Sequence, residues 1–250
     1  MATAVAHYTA AALTDRGRKR TSNEDAFGYS VEHGVYIVCD GMGGAAAGEI
    51  ASSLAIDEVL RLVSERREAE SAPLPSIAEE AVHAANEAIY SRAQRNIRLS
   101  GMGTTLVGLL VPASEEDRQI WVLNIGDSRC YRLHNGRLQR CTEDHSLVEE
   151  QIRLGRMTRA EAARSPLRNV ITRALGTQGS VTPDVIEIEA HSGDLFLLCS
   201  DGLTGEVPDE KIEALLNSDA SLDEICARLI QAANKAGGHD NITCLLVRVN

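Results

Sequence analysis

The spacing of apolar and polar positions changes repeatedly along this chain, and each change marks an element. Val35 to Cys39 and Leu195 to Cys199 are unbroken apolar runs, the pattern of strands buried on both faces. A strand near Tyr8 to Leu13 leads into a polar turn, Thr14 to Asn23. Further strands are expected at Thr104 to Val111, Ile120 to Ile125, Cys130 to Leu133, Arg137 to Cys141, Asp184 to Ala190 and 242–249. Asn135-Gly136 between two of them is a hairpin signal, because both residues tolerate positive φ. Helical spacing appears at Ala51, Ala55, Val59, Leu62 and Val63, after the glycine- and alanine-rich loop 41–48. That helix is expected to run to about residue 65 and to be broken by Pro73 and Pro75. Ile77, Ala81, Ala84, Ala88 and Ile89 carry a second helix, opened by the capping box Ser76-Ile77-Ala78-Glu79. Short helices follow around Leu147 to Leu154, after the box Thr158 to Glu161, and near 209–217. A longer one runs from the box at Ser221 to about Ala236.

Strands joined by hairpins, with helices segregated in pairs, predict an α+β layered fold with largely antiparallel sheets. Residues 1–250 read as a single domain, since no linker rich in Pro, Gly or Ser divides them. No repeat period is visible, although the two units of strand followed by Asp-Gly hint at pseudo-symmetry.

With 44% hydrophobic but only 3% aromatic residues, the core must be mostly aliphatic. A net charge of −11 argues against a nucleic-acid partner, whose binding rests on Lys and Arg at phosphates. The six cysteines include no Cys-x-x-Cys pair, which speaks against a zinc site. Cys39, Cys199 and Cys244 lie inside apolar runs as small hydrophobes, and free buried thiols suit a reducing cytoplasm. No signal-peptide pattern opens the chain, and no run reaches the roughly 18 apolar residues of a membrane helix. A cytoplasmic protein that avoids membranes is expected, with a monomer as the default.

Charge acquires chemical meaning at the strand ends. The run 35–39 delivers Asp40-Gly41, the run 195–199 delivers Ser200-Asp201-Gly202, and Asp240 immediately precedes the last strand. One Asp-Gly alone is a common turn dipeptide. Two at the mouths of buried strands, with a third acid in a glycine-rich approach, suggest carboxylates gathered around cations. Such a set can hold two divalent ions about 3.5–4 Å apart, activate water and polarise a phosphoryl oxygen for in-line ester hydrolysis. Oxygen-only ligands favour Mg²⁺ or Mn²⁺ over zinc. Arg20, just before Asn23-Glu24-Asp25, offers a guanidinium suited to phosphate, although by itself it reads as a surface residue. Gly41-Met42-Gly43 after a strand is a weak dinucleotide fingerprint, and Asp40 would face the pyrophosphate with like charge. Glu49 stands where a P-loop requires Lys.

In order along the chain stand Arg20, Asn23-Glu24-Asp25, Asp40-Gly41-Met42-Gly43-Gly44, Gly103-Thr104-Thr105, Asn124-Ile125-Gly126-Asp127-Ser128-Arg129, Asp144-His145-Ser146, Cys199-Ser200-Asp201-Gly202-Leu203 and Asp240-Asn241-Ile242-Thr243. This series resembles the metal-dependent PP2C-type serine/threonine protein phosphatases, and the bacterial branch most. The likeness spans about residues 8–249. It implies a four-layer α-β-β-α sandwich, two packed antiparallel sheets flanked by helix pairs, with a small helical flap over about 145–177. By motif match Asp40 bridges two ions, with the Gly41 carbonyl on the second, while Asp201 and Asp240 hold the first. Glu24 and Asp25 ligate the second directly or through water, Asp127 with Asp201 holds a third ion, and Arg20 binds phosphate. The implied activity is hydrolysis of phosphoserine and phosphothreonine in proteins by a metal-bridging hydroxide, opposing a cognate kinase.

One departure concerns the proton donor. Met42 stands where the eukaryotic branch carries the His that protonates the leaving group, and Met has no proton to give. A water on a metal is the expected substitute; neither His145 nor His239 is assigned. The flap segment 151–177 holds six Arg against one acid, Glu161, a reversal that suits steering of phosphopeptides. Two other functions fit the same residues: a phosphoprotein-binding regulator of weak catalysis, and a metal phosphoesterase for small molecules.

Overall fold

The computed structural model describes residues 8–43, 46–69, 72–113, 118–162 and 164–250. Strands β1 (Tyr8–Asp15), β2 (Asp25–Ser30) and β3 (Val35–Met42) open the chain. Helices α1 (Ala46–Glu68) and α2 (Leu74–Arg95) follow, then β4 (Gly103–Thr104), β5 (Leu106–Leu110), β6 (Gln119–Ile125), β7 (Arg129–His134) and β8 (Arg137–Arg140). Short helices α3 (Leu147–Arg153) and α4 (Arg159–Ala162) precede β9 (Asp184–Glu189) and β10 (Leu195–Cys199). The chain closes with α5 (Asp201–Thr204), α6 (Asp209–Leu216), α7 (Leu222–Ala236) and β11 (Ile242–Val249).

Two antiparallel sheets result, one ordered β1-β11-β10-β7-β8 and the other β2-β3-β5-β6-β9, with β4 paired to β3. Each runs apolar on both faces in its central strands, because each is covered twice. Tyr36, Val38, Val107, Val122, Phe196, Leu198, Leu245 and Val247 fill the layer between the sheets. On the outside, α1 and α2 bury Ala51, Ala55, Val59, Ile77, Ala81 and Ile89 against Ile37, Cys39, Leu106 and Leu123. On the opposite outside, α7 buries Ile225, Leu229 and Ala233 against Leu197, Cys244 and Leu246. The four-layer α-β-β-α arrangement expected from the sequence is therefore the one observed. Small Ala side chains let the helices sit close, which is how so few aromatic residues suffice.

Three details differ from the sequence expectation. No strand was expected at 25–30, where Asp25, Gly28 and Ser30 interrupt any apolar run, yet β2 pairs with β3 and sets Asp25 opposite Asp40. The box at Ser76 does not cap α2, because Pro73 is already the N-cap and Pro75 sits in the first turn, where its missing N–H costs nothing. The strand expected over 104–111 divides into β4 and β5 at Thr105, whose N–H turns to the Asp40 carbonyl at 2.9 Å. The other two boxes form: Ser221 and Glu224 cap each other at α7, and Thr158 and Glu161 do so at α4. Asn135 and Gly136 both take positive φ, 51° and 76°, as the hairpin requires. Gly44 and Ala45, in the loop expected over 41–48, lie outside the described residues, as do residues 1–7.

Candidate metal centre and active site

The acidic site forms where the two sheets meet at one end of the sandwich, and backbone hydrogen bonds fix each member. Asp40 sits where β3 leaves the sheet. Its N–H donates to Thr105 Oγ1 at 2.9 Å, and its carbonyl accepts from Thr104 Oγ1 at 2.9 Å. Thr105 Oγ1 in turn lies 2.7 Å from Ser128 Oγ, tying this strand end to the turn that carries Asp127. Asn241 holds a third piece: its side-chain amide donates to the carbonyls of Arg16 and Ser22 at 3.0 and 2.9 Å, and its Oδ1 accepts from the Glu24 N–H at 2.9 Å. One buried amide thus fixes the whole polar turn beside Asp240.

The glycines of the two Asp-Gly pairs are required by packing. A Cβ on Gly41 would stand 2.1 Å from the Gly48 carbonyl oxygen, and one on Gly202 would stand 1.9 Å from that of Asn241. Gly48, at the start of α1, leaves room for the Glu24 carboxylate, whose Oε2 would lie 2.0 Å from a Cβ there.

Asp25, Asp40, Asp127, Asp201 and Asp240 converge on one another. Burial raises Asp40 well above its usual range, and the charges of Asp25, Asp201, Asp127 and Asp240 push the same way. Burial takes Asp25 up to about 7, even though Thr243 and Ser200 donate to its Oδ2, each at 2.7 Å. Asp127 is likewise pushed up to about 7 by burial and by Asp201 and Asp144. Asp201 is raised by burial and by Asp240, and shares a hydrogen bond with Asp40 that partly offsets this. Glu24 is raised by burial, with Arg20 opposing. Arg20 borders the set, its guanidinium 2.6 Å from Asp240 Oδ2 and half exposed. Asp25 Oδ1 and Asp201 Oδ1 are buried with no hydrogen-bond partner. Buried carboxylates that repel one another and leave oxygens unpaired are a donor set suited to hard cations.

All the residues singled out in the sequence are thus in one region: Arg20, Glu24, Asp25, Asp40, Gly41, Asp127, Asp201 and Asp240. The polar residues that hold them stand in the quoted motifs but were given no role: Thr104, Thr105, Ser128, Ser200, Asn241 and Thr243. Most adjoin a motif acid, so motif adjacency was the available signal; the contacts themselves cross between sheets. The two histidines left unassigned make local hydrogen bonds. His239 Nδ1 lies 2.5 Å from Glu206 Oε1. His145 Nδ1 accepts from the Gly126 N–H at 3.1 Å, so Nε2 carries the proton and faces Asp184 Oδ2 at 3.2 Å. That bond anchors the turn bearing Asp127.

The segment from 145 to 175 is clipped back to this site. The Leu147 N–H donates to the Val170 carbonyl at 2.9 Å and the Thr172 N–H to that of His145 at 2.8 Å. Leu175 exchanges two backbone hydrogen bonds with Thr104, at 3.1 and 2.9 Å. A cavity of about 370 Å³ opens between Asp127 and Asp201 on one wall and Val148, Ile152 and Arg168 on the other.

Another cluster had no sequence signal. His134, His191 and Asp194 place ligand atoms within 4.8 Å of one another, yet Arg132 occupies that cluster. Its guanidinium donates to Asp194 Oδ2 at 2.9 Å through Nε and lies 3.0 Å from His191 Nδ1 and 3.3 Å from His134 Nδ1. A fixed guanidinium already supplies the positive charge there.

The family model described as protein phosphatase 2C matches residues 14–247. The chain belongs to that family. It is 41% identical over 245 residues to the serine/threonine phosphatase stp of Listeria welshimeri, covering 95% of this chain and 94% of that protein. Its fold matches the crystal structure of the Mycobacterium tuberculosis serine/threonine phosphatase PstP/Ppp with a TM-score of 0.88 and 37% identity, covering 97% and 99% of the two chains. The catalytic domain of PstP in complex with two manganese ions matches with a TM-score of 0.84 and 36% identity, covering 96% and 97%.

Proposed function

We propose that this protein phosphatase 2C family member is a metal-dependent protein serine/threonine phosphatase that hydrolyses phosphoserine and phosphothreonine. The observation that carries the reading is the convergence of five buried or half-buried aspartates beside one half-exposed arginine. That arrangement is costly without cations and suited to a phosphate ester with them. The Mn²⁺-bound relative supports the choice of ion, and Mg²⁺ fits the same oxygen donors.

In this reading Asp201 and Asp240 would hold the first ion, the Gly41 carbonyl and Glu24 would hold the second, and Asp40 would serve both. Asp25 contributes through Oδ1, since Oδ2 is taken by Ser200 and Thr243. Asp127 and Asp201 would hold a third ion. Bound ions supply a water deprotonated near neutral pH and stabilise charge on the phosphoryl oxygens. The chain's own part is positional. Arg20 turns its guanidinium to two phosphate oxygens, setting the ester for in-line attack. Glu24 and Asp240 keep Arg20 in place through their charge. Met42, half-buried at the end of β3, offers no proton, so the leaving group is protonated from solvent at the site.

The phosphorylated partners are proteins dephosphorylated against a cognate Ser/Thr kinase, and the protein acts as a cytoplasmic monomer. Among the described residues, no helix is long and apolar enough to cross a membrane. Residues 145–177 form the flap of a single catalytic domain spanning 1–250.

Purified protein with Mn²⁺ should turn over both p-nitrophenyl phosphate and a phosphothreonine peptide, and lose both activities on chelation. Turnover that survives chelator would sink the metal assignment. Turnover confined to nucleotide or sugar phosphates would replace the protein substrate with a small molecule. Binding of phosphopeptide without turnover would make the chain a regulator.

A further inference from the structure

Cys130 and Cys141 lie one step beyond the last paired rung of the β7–β8 hairpin. The register pairs Tyr131 with Arg140 and Leu133 with Leu138, which sets Cys130 opposite Cys141 one step further. The Cys141 N–H donates to the Cys130 carbonyl at 2.8 Å. Opposed residues on antiparallel strands point to the same face, and both cysteines belong to the layer between the sheets. The Cys130 N–H donates to Thr142 Oγ1 at 3.1 Å, so one backbone hydrogen bond joins the two cysteines. Opposed antiparallel residues hold their Cα atoms about 4.5–5.5 Å apart, inside the roughly 4.4–6.8 Å that a disulfide spans.

Their exposure is unequal. Cys130 is fully buried, whereas Cys141 is partly open to solvent beside β8, the edge strand of its sheet. We propose that Cys130 and Cys141 are a modification site, a thiol pair that a hydroperoxide oxidises to a disulfide and a dithiol reductant restores. The contact with Cys130 holds the Cys141 thiol below its usual value, against burial, and Arg132 adds to that. Cys141 is therefore the thiolate that attacks. Its sulfur takes the distal oxygen of the hydroperoxide, the O–O bond breaks, and an alcohol leaves once protonated, giving a sulfenic acid at Cys141. The Cys130 sulfur then attacks that sulfur, the S–O bond breaks, and hydroxide leaves as water with the Cys130 proton. In sum, two thiols lose two electrons and two protons, and one hydroperoxide becomes alcohol and water.

The other close thiols lack the exposed member. Cys226 and Cys244 adjoin across α7 and β11, and Cys199 opposes Cys244 in the β10–β11 register, but all three are buried. A link here lies at the open end of the ladder, with Cys141 partly exposed beside an edge strand, where a dithiol reductant reaches it. It also lies next to Arg129 and Arg140, which both bind Asp144, at 2.7 and 2.6 Å.

The test treats intact protein with tert-butyl hydroperoxide in the presence of chelator, then unfolds it in denaturant to alkylate the remaining thiols, and maps peptides by mass. The expected result is a linked Cys130–Cys141 peptide lighter by two hydrogens. Four of the six thiols should stay alkylatable, and dithiothreitol should restore the other two. Cys141→Ser and, separately, Cys130→Ala should each abolish the link while keeping phosphatase turnover, which shows that the variants fold. Six alkylatable thiols after oxidation, or Cys141 driven to sulfinic acid with no linked peptide, would overturn the proposal. So would a link that involves Cys199, Cys226 or Cys244 instead.

Discussion

At the scale of single residues, the acids of this site stabilise nothing by themselves. Asp201 keeps one buried oxygen unpaired and faces the charge of Asp240. Replacing it with a neutral isostere should therefore act oppositely on catalysis and on the metal-free fold. Asp201→Asn is expected to lower kcat/KM by roughly a hundredfold or more, the scale of several kcal/mol of lost metal assistance. The same variant in chelator should melt higher than the parent, by about 2–4 °C for each kcal/mol of relieved repulsion. Kinetics and calorimetry on one preparation check both, and a lowered melting temperature with intact turnover would contradict the assignment. Residues around the acids work differently. Asn241, Thr105 and Ser200 touch backbone or carboxyl groups rather than any reacting atom, and they set where the acids stand.

At the scale of elements, the segment 145–175 hangs from two clipped ends; Arg153 on α3, Arg156 in the connection and Arg159 on α4 are exposed. Arg159 already has a partial counter-charge in Glu149, at 3.3 Å. An exposed pair of this kind contributes little to stability, so these guanidiniums remain available to a passing anion. Charge reversal of all three is expected to raise KM for a phosphopeptide several-fold at low salt while leaving KM for p-nitrophenyl phosphate within about twofold. The difference should shrink as ionic strength rises toward 0.15 M, where screening acts over about 8 Å. Equal effects on the two substrates would mean that the arginines are ordinary solvated surface.

At the scale of the whole molecule, the concentration of acids gives the metal-free protein an unusual dependence on pH. An acid whose folded pKa is raised binds more protons folded than unfolded between its ordinary value and its raised one. Stability must therefore fall as pH increases through that window. For Asp25 and Asp127 the window runs from about 4, the ordinary Asp value, to about 7; Asp40 and Asp201 shift in the same direction. Asp15 and Asp184 are held below their usual range by Asn234 and, against burial, by His145 and Arg173. Their contribution is lost only on acidification below about 4, outside that window. In chelator, the melting temperature is expected to be higher at pH 5 than at pH 8, and Mn²⁺ at pH 8 should restore it. A melting temperature that climbs from pH 5 to pH 8 without metal would show the carboxylates to be paired rather than opposed.

What was legible in the chain follows from which forces act locally. Strands β3, β10 and β11, the helical faces of α1 and α7, the Asn135-Gly136 turn and the Ser221 box all depend on neighbours within a few residues. The acids at 40, 201 and 240 stood out because each lies at or within two residues of the end of an apolar run. Strand β2 was not visible, because Asp25, Gly28 and Ser30 are tolerated there only with β3 alongside. The start of α2 was misplaced, since a proline can begin a helix as well as end one and the choice rests on packing. The layer order of the fold and the roles of Arg20 and Asp127 came from resemblance, not from periodicity. Convergence itself belongs to the tertiary structure alone. Asp25 comes from the edge strand β2, Asp40 from its neighbour β3, Asp127 from a turn, Asp201 from the start of α5 after β10, and Asp240 from the loop before β11. Only the closure of the two sheets brings these like charges together, and nothing in local sequence records either their mutual repulsion or the amide and hydroxyl groups that hold them against it.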